Sequence, residues 1–239
     1  MHDGNSGTRD LSDLGRPDRV LLWDLDGTIA DTRQDIVTGV REMLLSLGLE
    51  PLPMANVIRH VGRGVRVLVS RSLAEAGRPD ADDAMIEEGI DLFRSHYRLH
   101  LMDTTTTYGN ISGVLTELAR RGRLMAVVSN KPEDASRMLV EALGLTSCFA
   151  VVLGGDSLPV RKPSPEPLLH ALQICRAGAQ PNDAVLFGDS ITDLETGRAA
   201  GMPVCGVGWG FDPDGEMRRQ GTDWWVETVD ELERVLLGR

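Results

Sequence analysis

The sequence has few of the features that would indicate a disulfide-stabilised or nucleic-acid-binding protein. Its three cysteines, Cys148, Cys175 and Cys205, are widely spaced and form no C-x-x-C pair. We therefore expect neither a disulfide framework nor a cysteine-based zinc site. We expect the three cysteines to be free thiols. The chain has 25 basic and 36 acidic residues and a formal net charge of −11. Nucleic-acid binding needs a basic face, so we expect no nucleic-acid partner.

Long apolar runs are also missing. No run reaches the length of a membrane span, and the polar first 18 residues contain no apolar signal-peptide core. We expect residues 1–18 to be a loose leader, the protein to be cytoplasmic, and no membrane partner. The 239 residues suffice for one large domain, or for one domain that carries a smaller one.

The most informative stretch begins with four apolar residues, 20–23, that run directly into Asp24-Leu25-Asp26-Gly27-Thr28. A short apolar run bounded by a turn signal is typical of a buried parallel strand. Asp24 and Asp26 are thus predicted at the carboxyl end of a central strand, where open α/β sheets bind ligands. Side chains two residues apart share a face and would repel. A bound cation, separated pKa values or a bend at Gly27 would relieve this repulsion. A solvated Asp-x-Asp-Gly turn is the alternative.

The rest of the chain divides into a helical segment and a strand–helix alternation. Helical spacing over 32–47, 65–76 and 82–100, with no good strand between, predicts an inserted helical domain at 33–103. Apolar runs at 124–128, 149–153, 184–187 and 203–207 then alternate with helical patterns. This alternation predicts an α/β core, a doubly wound, Rossmann-like parallel sheet formed by residues 19–32 and 104–239.

Two downstream motifs are suited to an anion. Ser129-Asn130-Lys131 follows a predicted strand and opens a helix, where a hydroxyl and backbone N–H groups favour phosphate, although a simple helix cap explains it too. Lys162 is followed by three prolines at alternate positions, which fix the backbone before a helix. Its compact ammonium suits a phosphoryl oxygen, and a surface lysine in a turn is the alternative.

A third motif, Gly188-Asp189-Ser190-x-x-Asp193, adds two carboxylates at a strand end. Because the ends of parallel strands meet at one edge, Asp24, Asp26, Asp189 and Asp193 are expected to lie together. So many carboxylates favour a hard divalent cation, and Mg²⁺ fits best, since it takes one or two carboxylates together with phosphate and water. Solvated cap residues are the alternative for the last two.

In this order, the four motifs resemble those of the haloacid dehalogenase superfamily, over nearly the whole chain from Arg19 on. Finer features resemble its phosphoglycolate phosphatase-like branch, among them Asp31-Thr32-x-x-Asp35-Ile36 and Lys162-Pro163-x-Pro165-x-Pro167. The helical insertion lies where this family carries its cap domain. Residues 206–211 match the family's late loop only loosely.

The resemblance implies a Mg²⁺-dependent phosphatase that hydrolyses a small phosphate monoester, similar to 2-phosphoglycolate, through an aspartyl-phosphate. Asp24 is then the nucleophile and Asp26 the general acid and base. The Asp24 carboxylate, the Asp26 main-chain carbonyl and Asp189 hold the metal, while Asp193 holds the metal's waters or Lys162.

The resemblance also implies the groups that contact the substrate. Ser129, with Asn130 beside it, and Lys162 hold the phosphoryl oxygens, and Thr28 orients Asp26. Arg63 and Arg66 lie in a segment that resembles the family's substrate-contacting cap loop. Either could bind a substrate carboxylate in a bidentate manner, or both could be surface arginines.

Three other functions remain open at this point. A pyrophosphatase and a β-phosphoglucomutase-like phosphotransferase share the fold, and a non-catalytic binding protein could retain it. Asp26 favours phosphatase or mutase chemistry over dehalogenation, because dehalogenases need no acid two residues after the nucleophile. The expected partner is a small phosphorylated metabolite, and the protein is expected to be a monomer or a homodimer.

Overall fold

The computed structural model describes residues 10–212 and 214–238, in which strands and helices alternate. The strands are β1 (Val20–Trp23), β2 (Ala30–Asp31), β3 (Thr106–Thr107), β4 (Met125–Val128), β5 (Val151–Leu153), β6 (Ala184–Gly188), β7 (Val204–Val207) and β8 (Trp224–Val226). The α-helices are α1 (Leu11–Leu14), α2 (Arg33–Ser46), α3 (Met54–Ile58), α4 (Val65–Glu75), α5 (Asp83–His100), α6 (Ile111–Arg120), α7 (Glu133–Ala142), α8 (Glu166–Cys175), α9 (Ile191–Ala200), α10 (Glu216–Gln220) and α11 (Val229–Leu237). Two short 3₁₀ helices lie at Thr146–Cys148 and Pro181–Asp183.

Six parallel strands form the main sheet, in the order β5-β4-β1-β6-β7-β8. The strand β1 is central, with Leu22 opposite Ala126 of β4 on one side and Leu186 of β6 on the other. From β1 the chain builds outward to β5, then returns to build β6, β7 and β8 on the other side. The strand order thus reverses at β1, and a crevice forms beyond the carboxyl ends of β1, β4 and β6. The predicted doubly wound α/β fold is confirmed.

Both faces of the sheet are buried, which explains why its strands are continuously apolar. Leu21 and Trp23 face one layer of the core, which also contains residues of α2, α6 and α11. Val20 and Leu22 face the opposite layer, with residues of α8 and α9. The Trp23 ring stacks on Phe187 of β6, with the ring centroids 4.0 Å apart. This packing fixes the end of β1, where the two aspartates follow.

The insertion at 33–103 contains α2, α3, α4 and α5 and no strand, as the sequence predicts. Two glycines let its helices approach closely. A Cβ at Gly39 of α2 would lie 2.9 Å from Phe93 of α5, and one at Gly89 of α5 would lie 2.8 Å from Val69 of α4. The division of the chain into a core at 19–32 and 104–239 and a cap at 33–103 stays a prediction.

The chain enters and leaves the helical insertion through a small two-stranded sheet, in which Ala30 pairs with Thr107 and Asp31 with Thr106. Beside it, the buried carboxylate of Asp35 joins the start of α2 to the returning segment. Asp35 Oδ1 accepts hydrogen bonds from Thr104 N (3.1 Å) and Oγ1 (2.5 Å), and Oδ2 accepts them from Thr105 N (2.9 Å) and Oγ1 (2.7 Å).

Replacing Asp35 with alanine is expected to lower the free energy of unfolding by about 2–4 kcal/mol, because the donors of Thr104 and of the buried Thr105 lose a buried acceptor at once. Urea unfolding followed by circular dichroism measures the change. Asp80→Ala is a matched control at an exposed carboxylate whose ion pair with Arg78 is on the surface, and it should change the free energy of unfolding far less. Equal effects of the two substitutions would contradict a joining role for Asp35.

Two parts of the chain differ from the sequence-based predictions. The predicted loose leader is packed from Asp10 onward, because Leu14 of α1 is fully buried and Trp224 Nε1 donates to the Asp10 carbonyl (2.9 Å). Residues 1–9 of that leader lie outside the described residues. The predicted last strand, at 203–207, is followed by a further one, β8, which pairs with β7. Within residues 10–212 and 214–238, no helix combines the length and apolarity that crossing a membrane requires.

Candidate active site

The two aspartates after β1 separate at a bend. The Asp24 backbone N–H still donates to the Phe187 carbonyl (2.9 Å), so it continues the pairing of β1 with β6. The chain then turns at Gly27, whose φ is +86°, a conformation that favours glycine. Each carboxylate meets its own lysine beyond the bend: Lys162 beside Asp24 and Lys131 beside Asp26. Of the three ways to relieve the repulsion, the bend is present.

Lys162 lies between two aspartates from different parts of the chain: Asp24 follows β1, and Asp193 lies in the first turn of α9. Its Nζ is 2.9 Å from Asp24 Oδ1 and 2.6 Å from Asp193 Oδ1, and all three side chains are buried. The second Asp193 oxygen accepts hydrogen bonds from Ser190 N (3.1 Å) and Oγ (2.6 Å), and the first of these belongs to a capping box at the start of α9. Asp193 thus holds Lys162 in place, one of the two roles expected for it.

Asp189 ends β6 with its carboxylate held from two sides. Thr28 Oγ1 donates to Asp189 Oδ1 (2.9 Å), and the Phe211 backbone N–H donates to Oδ2 (2.5 Å). Two glycines make room for it: a Cβ at Gly27 or at Gly210 would lie 2.2 Å from Asp189 atoms. Gly210 and Phe211 belong to residues 206–211, which match the family's late loop only loosely, and this segment therefore supports Asp189.

Thr28 contacts a different aspartate from the one that the sequence predicts. Thr28 was expected to orient Asp26, but its hydroxyl donates to Asp189, because the tight turn after Gly27 carries it under the strand end. Thr32 takes the expected place, and its Oγ1 donates to Asp26 Oδ1 (2.7 Å). Trp209 Nε1 holds the same turn by donating to the Thr28 carbonyl (3.0 Å).

Three buried carboxylates form a group that fits a divalent cation. Oxygens of Asp24, Asp189 and Asp193 lie within 4.8 Å of one another. Burial and, after it, the charge of Asp193 raise the pKa of Asp24 to about 7 from an ordinary 3.8, although Lys162 opposes the shift. Burial and the charges of Asp24 and Asp193 also raise the pKa of Asp189 well above its usual value. Such a group carries its full negative charge only beside additional positive charge, which a hard cation with oxygen ligands supplies.

The Asp26 side chain is not part of this carboxylate group. It turns instead to Lys131, which had no separate role in the sequence-based prediction. Lys131 Nζ lies 2.9 Å from Asp26 Oδ1 and 3.0 Å from Oδ2. The sequence could have singled out Lys131 as a candidate site residue, because lysine is rare in it: of the chain's 25 basic residues, only Lys131 and Lys162 are lysines. Both are buried, and each pairs with an aspartate of the first motif.

The predicted phosphate-binding residues lie beside these aspartates. Ser129 is buried at the end of β4, where its backbone N–H donates to the Leu153 carbonyl (2.9 Å). Asn130 Nδ2 donates to the carbonyls of Gly62 (2.8 Å) and Lys162 (2.9 Å). Asn130 thus joins the cap loop to the core, and both of its N–H donors are used there. Its predicted contact with substrate stays a prediction.

A cavity of about 350 Å³ lies between the sheet edge and the helical insertion. Its polar floor is formed by Asp24, Asp26, Ser129, Lys131 and Asp189. Its walls are mostly apolar, with residues from the insertion and from α7: Val61, Val65, Leu68, Phe93 and Met138. A cavity with apolar walls and a few convergent polar groups is typical of a small-molecule site.

The structure does not bring the two predicted cap arginines into this cavity. Arg66 pairs with Asp83 (2.5 Å) and with Glu87 on the outside of α5. Arg63 is exposed and lines a smaller neighbouring cavity. Two other arginines, Arg94 and Arg98 of α5, line the main cavity instead. The sequence could not distinguish them, because the direction of each side chain depends on how the helices pack.

The sequence was compared with family models and with known proteins. The family model for haloacid dehalogenase-like hydrolases matches residues 21–207. The chain belongs to this family. A phosphoglycolate phosphatase of Chromobacterium violaceum is 36% identical to it over 214 residues, which cover 90% of this chain and 94% of that protein. One of Aquifex aeolicus is 37% identical over 193 residues, which cover 81% and 86%.

The fold of this haloacid dehalogenase-like chain also matches solved structures. A crystal structure of a predicted phosphoglycolate phosphatase from Haemophilus somnus superposes with a TM-score of 0.84 at 25% identity, and covers 93% of this chain and 98% of that one. The predicted family is therefore confirmed by both sequence and fold.

Proposed function

We propose that this protein is a Mg²⁺-dependent phosphatase that hydrolyses 2-phosphoglycolate, or another small phosphate monoester, through an aspartyl-phosphate on Asp24. The class of enzyme, a phosphoric monoester hydrolase, follows from the family and from the names of its relatives. The observation that carries the mechanism is the buried Asp24 carboxylate at the cavity floor, beside Lys162 and within 4.8 Å of two further carboxylates.

In the first chemical step, an Asp24 oxygen attacks the phosphorus atom and the bond from phosphorus to the ester oxygen breaks. Asp26 donates a proton to the departing oxygen. Lys162 and Ser129 hold the non-bridging oxygens of the phosphoryl group, where the negative charge is spread in the transition state. Asp24 must be ionised to attack, and Lys162 favours that form even though burial raises the pKa of Asp24 to about 7.

In the second step, Asp26 takes a proton from a water molecule whose oxygen attacks the same phosphorus atom. The bond from phosphorus to Asp24 then breaks, and inorganic phosphate leaves. Asp24 and Asp189, with the Asp26 main-chain carbonyl, would hold Mg²⁺, which lowers the repulsion between a carboxylate and a phosphate. The apolar walls from the insertion keep bulk water from the aspartyl-phosphate.

The substrate assignment depends on the relatives and on the cavity. Curated relatives named phosphoglycolate phosphatase match most of this chain, which supports 2-phosphoglycolate. Arg94 or Arg98 of α5, rather than the predicted Arg63 and Arg66, line the cavity where a substrate carboxylate would need a cation. We propose a monomer or a homodimer, which light scattering would determine.

Phosphate release from a panel of compounds tests the proposal. With Mg²⁺, the purified protein should have a kcat/KM for 2-phosphoglycolate at least about tenfold above that for glycerol phosphates or sugar phosphates, because the cap excludes substrates that it does not fit. Faster release from pyrophosphate would favour a pyrophosphatase. Isomerised sugar phosphate with little free phosphate would favour a mutase. No release from any compound would contradict the phosphatase proposal and leave a binding protein.

A further inference from the structure

Lys162 holds the phosphoryl group in the proposed mechanism, whereas Lys131, the chain's other lysine, contacts Asp26. Lys131 reaches both oxygens of Asp26, at 2.9 and 3.0 Å, and its side chain is 5% exposed. An ammonium that contacts both oxygens of one carboxylate restricts its rotation, and burial strengthens the contact because water is excluded. Thr32 Oγ1 holds Asp26 Oδ1 from another side (2.7 Å).

The Lys131 ammonium is itself held by a side chain of the helical insertion. The ring of Tyr97, on α5, lies with its centroid 4.6 Å from Lys131 Nζ. Tyr97 is 4% exposed and stacks on Phe93, with the centroids 5.3 Å apart, so the ring position is fixed by packing. A buried cation–π contact of this kind contributes a favourable interaction that depends on α5 lying against the core.

We propose that Lys131 is a positioning residue for Asp26, and that the Tyr97 ring keeps Lys131 in place while the insertion is seated on the core. The proposal rests on the proposed acid–base role of Asp26. Asp26 acts twice, when the ester oxygen departs and when water attacks the aspartyl-phosphate. Loss of Lys131 should therefore slow both of those events. It should spare the attack of Asp24 on a substrate whose leaving group needs no proton.

Two aryl phosphates of similar shape separate these events. Phenolate is a poor leaving group and benefits from a proton, whereas 4-nitrophenolate leaves without one. With phenyl phosphate, Lys131→Met should lower turnover about 10²-fold, the usual contribution of a positioned acid. With 4-nitrophenyl phosphate, stopped-flow mixing should show a rapid burst of about one nitrophenolate per enzyme and then slow release, because the aspartyl-phosphate forms but is not hydrolysed.

The same substitution at the other lysine is the matched control. Lys162→Met should show no burst with either ester, because Lys162 holds the phosphoryl group during the first step. Tyr97→Leu, which removes the ring and leaves Lys131, should reproduce the Lys131→Met pattern more weakly. If circular dichroism shows that Lys131→Met does not fold, Tyr97→Leu still tests the positioning role of Lys131.

The outcomes distinguish this inference from the proposed function. Wild-type behaviour of Lys131→Met, or an equal loss on both esters without a burst, would overturn the positioning role. Asp26→Asn tests the proposed function separately, and it should also give the burst with 4-nitrophenyl phosphate. Full turnover of phenyl phosphate by Asp26→Asn would refute the acid–base role of Asp26, and the role of Lys131 with it. A burst in Asp26→Asn with none in Lys131→Met would refute only the inference about Lys131.

Discussion

Replacing Asp24 with asparagine is expected to lower the turnover of every phosphate monoester by about four orders of magnitude or more, because an amide cannot form the phosphoryl-enzyme. The fold should survive, since asparagine is nearly the same size. Thermal stability without metal at pH 8 should stay equal or rise. Burial raises the pKa of Asp24 to about 7, so an ionised carboxylate at this position destabilises the metal-free fold. Phosphate release and thermal melting measure the two effects.

A control for this substitution is Asp80→Asn. It makes the same chemical change at an exposed carboxylate of the helical insertion. It should leave turnover within about twofold of the wild type, since exposed substitutions away from a site have small effects. Retained activity in Asp24→Asn would exclude Asp24 as the nucleophile. A large loss of thermal stability in Asp24→Asn would show that the carboxylate serves the fold rather than the reaction.

Removal of divalent cations is expected to lower turnover about 10³-fold or more, because a metal ion contributes several kcal/mol of charge stabilisation in phosphoryl transfer. The three carboxylates would otherwise repel both each other and the phosphate. Dialysis against a chelator, followed by addition of MgCl₂, should abolish and then restore the release of phosphate. Far-ultraviolet circular dichroism is the control and should not change. Undiminished hydrolysis in excess chelator would contradict a metal-dependent reaction.

Binding of the proposed Mg²⁺ is expected to depend on pH through the same carboxylates. The pKa of Asp24 is raised to about 7 in the metal-free fold, and that of Asp189 is raised as well. As the pH falls below 7, protons occupy the oxygens that the cation needs, so Mg²⁺ affinity should fall. In the metal-free protein, the Asp24 carboxyl, whose pKa is raised, takes up a proton as the pH falls from 8 towards 4, and this protonation stabilises the fold. The increase in melting temperature on adding Mg²⁺ should therefore be larger at pH 8 than at pH 5.5. An equal increase at both pH values would argue that the cation binds elsewhere.

Much of the fold could be predicted because its signals are local. The run at 20–23 is apolar throughout because both faces of β1 are buried, and the helices α2 and α4 of the insertion end just before Gly48 and Gly77. The strand β8 was missed because three residues, Trp224–Val226, carry too little periodicity to distinguish a strand from a loop. The packing of residues 10–18 was missed because a single buried side chain, Leu14, anchors an otherwise polar segment.

The candidate site could be predicted only as far as the motifs reached. The positions of Asp24, Asp26 and Asp189 followed from strand ends that meet at one edge of a parallel sheet, and Lys162 followed from the prolines that precede a helix. The partner of each hydroxyl and each cation did not follow, because it depends on directions fixed by tertiary packing. Thr28 turns to Asp189 rather than to Asp26 for this reason, and Arg66 turns to acids on the outside of α5.

The scarcity of lysine has a practical consequence for anyone who labels this protein. Its surface cations are arginines, and both ε-amines lie buried in ion pairs with aspartates of the candidate site. Succinimidyl esters and similar amine-directed reagents should therefore leave the lysines of the folded protein largely unmodified. If a reagent small enough to enter the cavity is used, a bound anionic inhibitor should protect Lys131, which lines the cavity, so that mass spectrometry of its acylation reports whether the cavity is occupied.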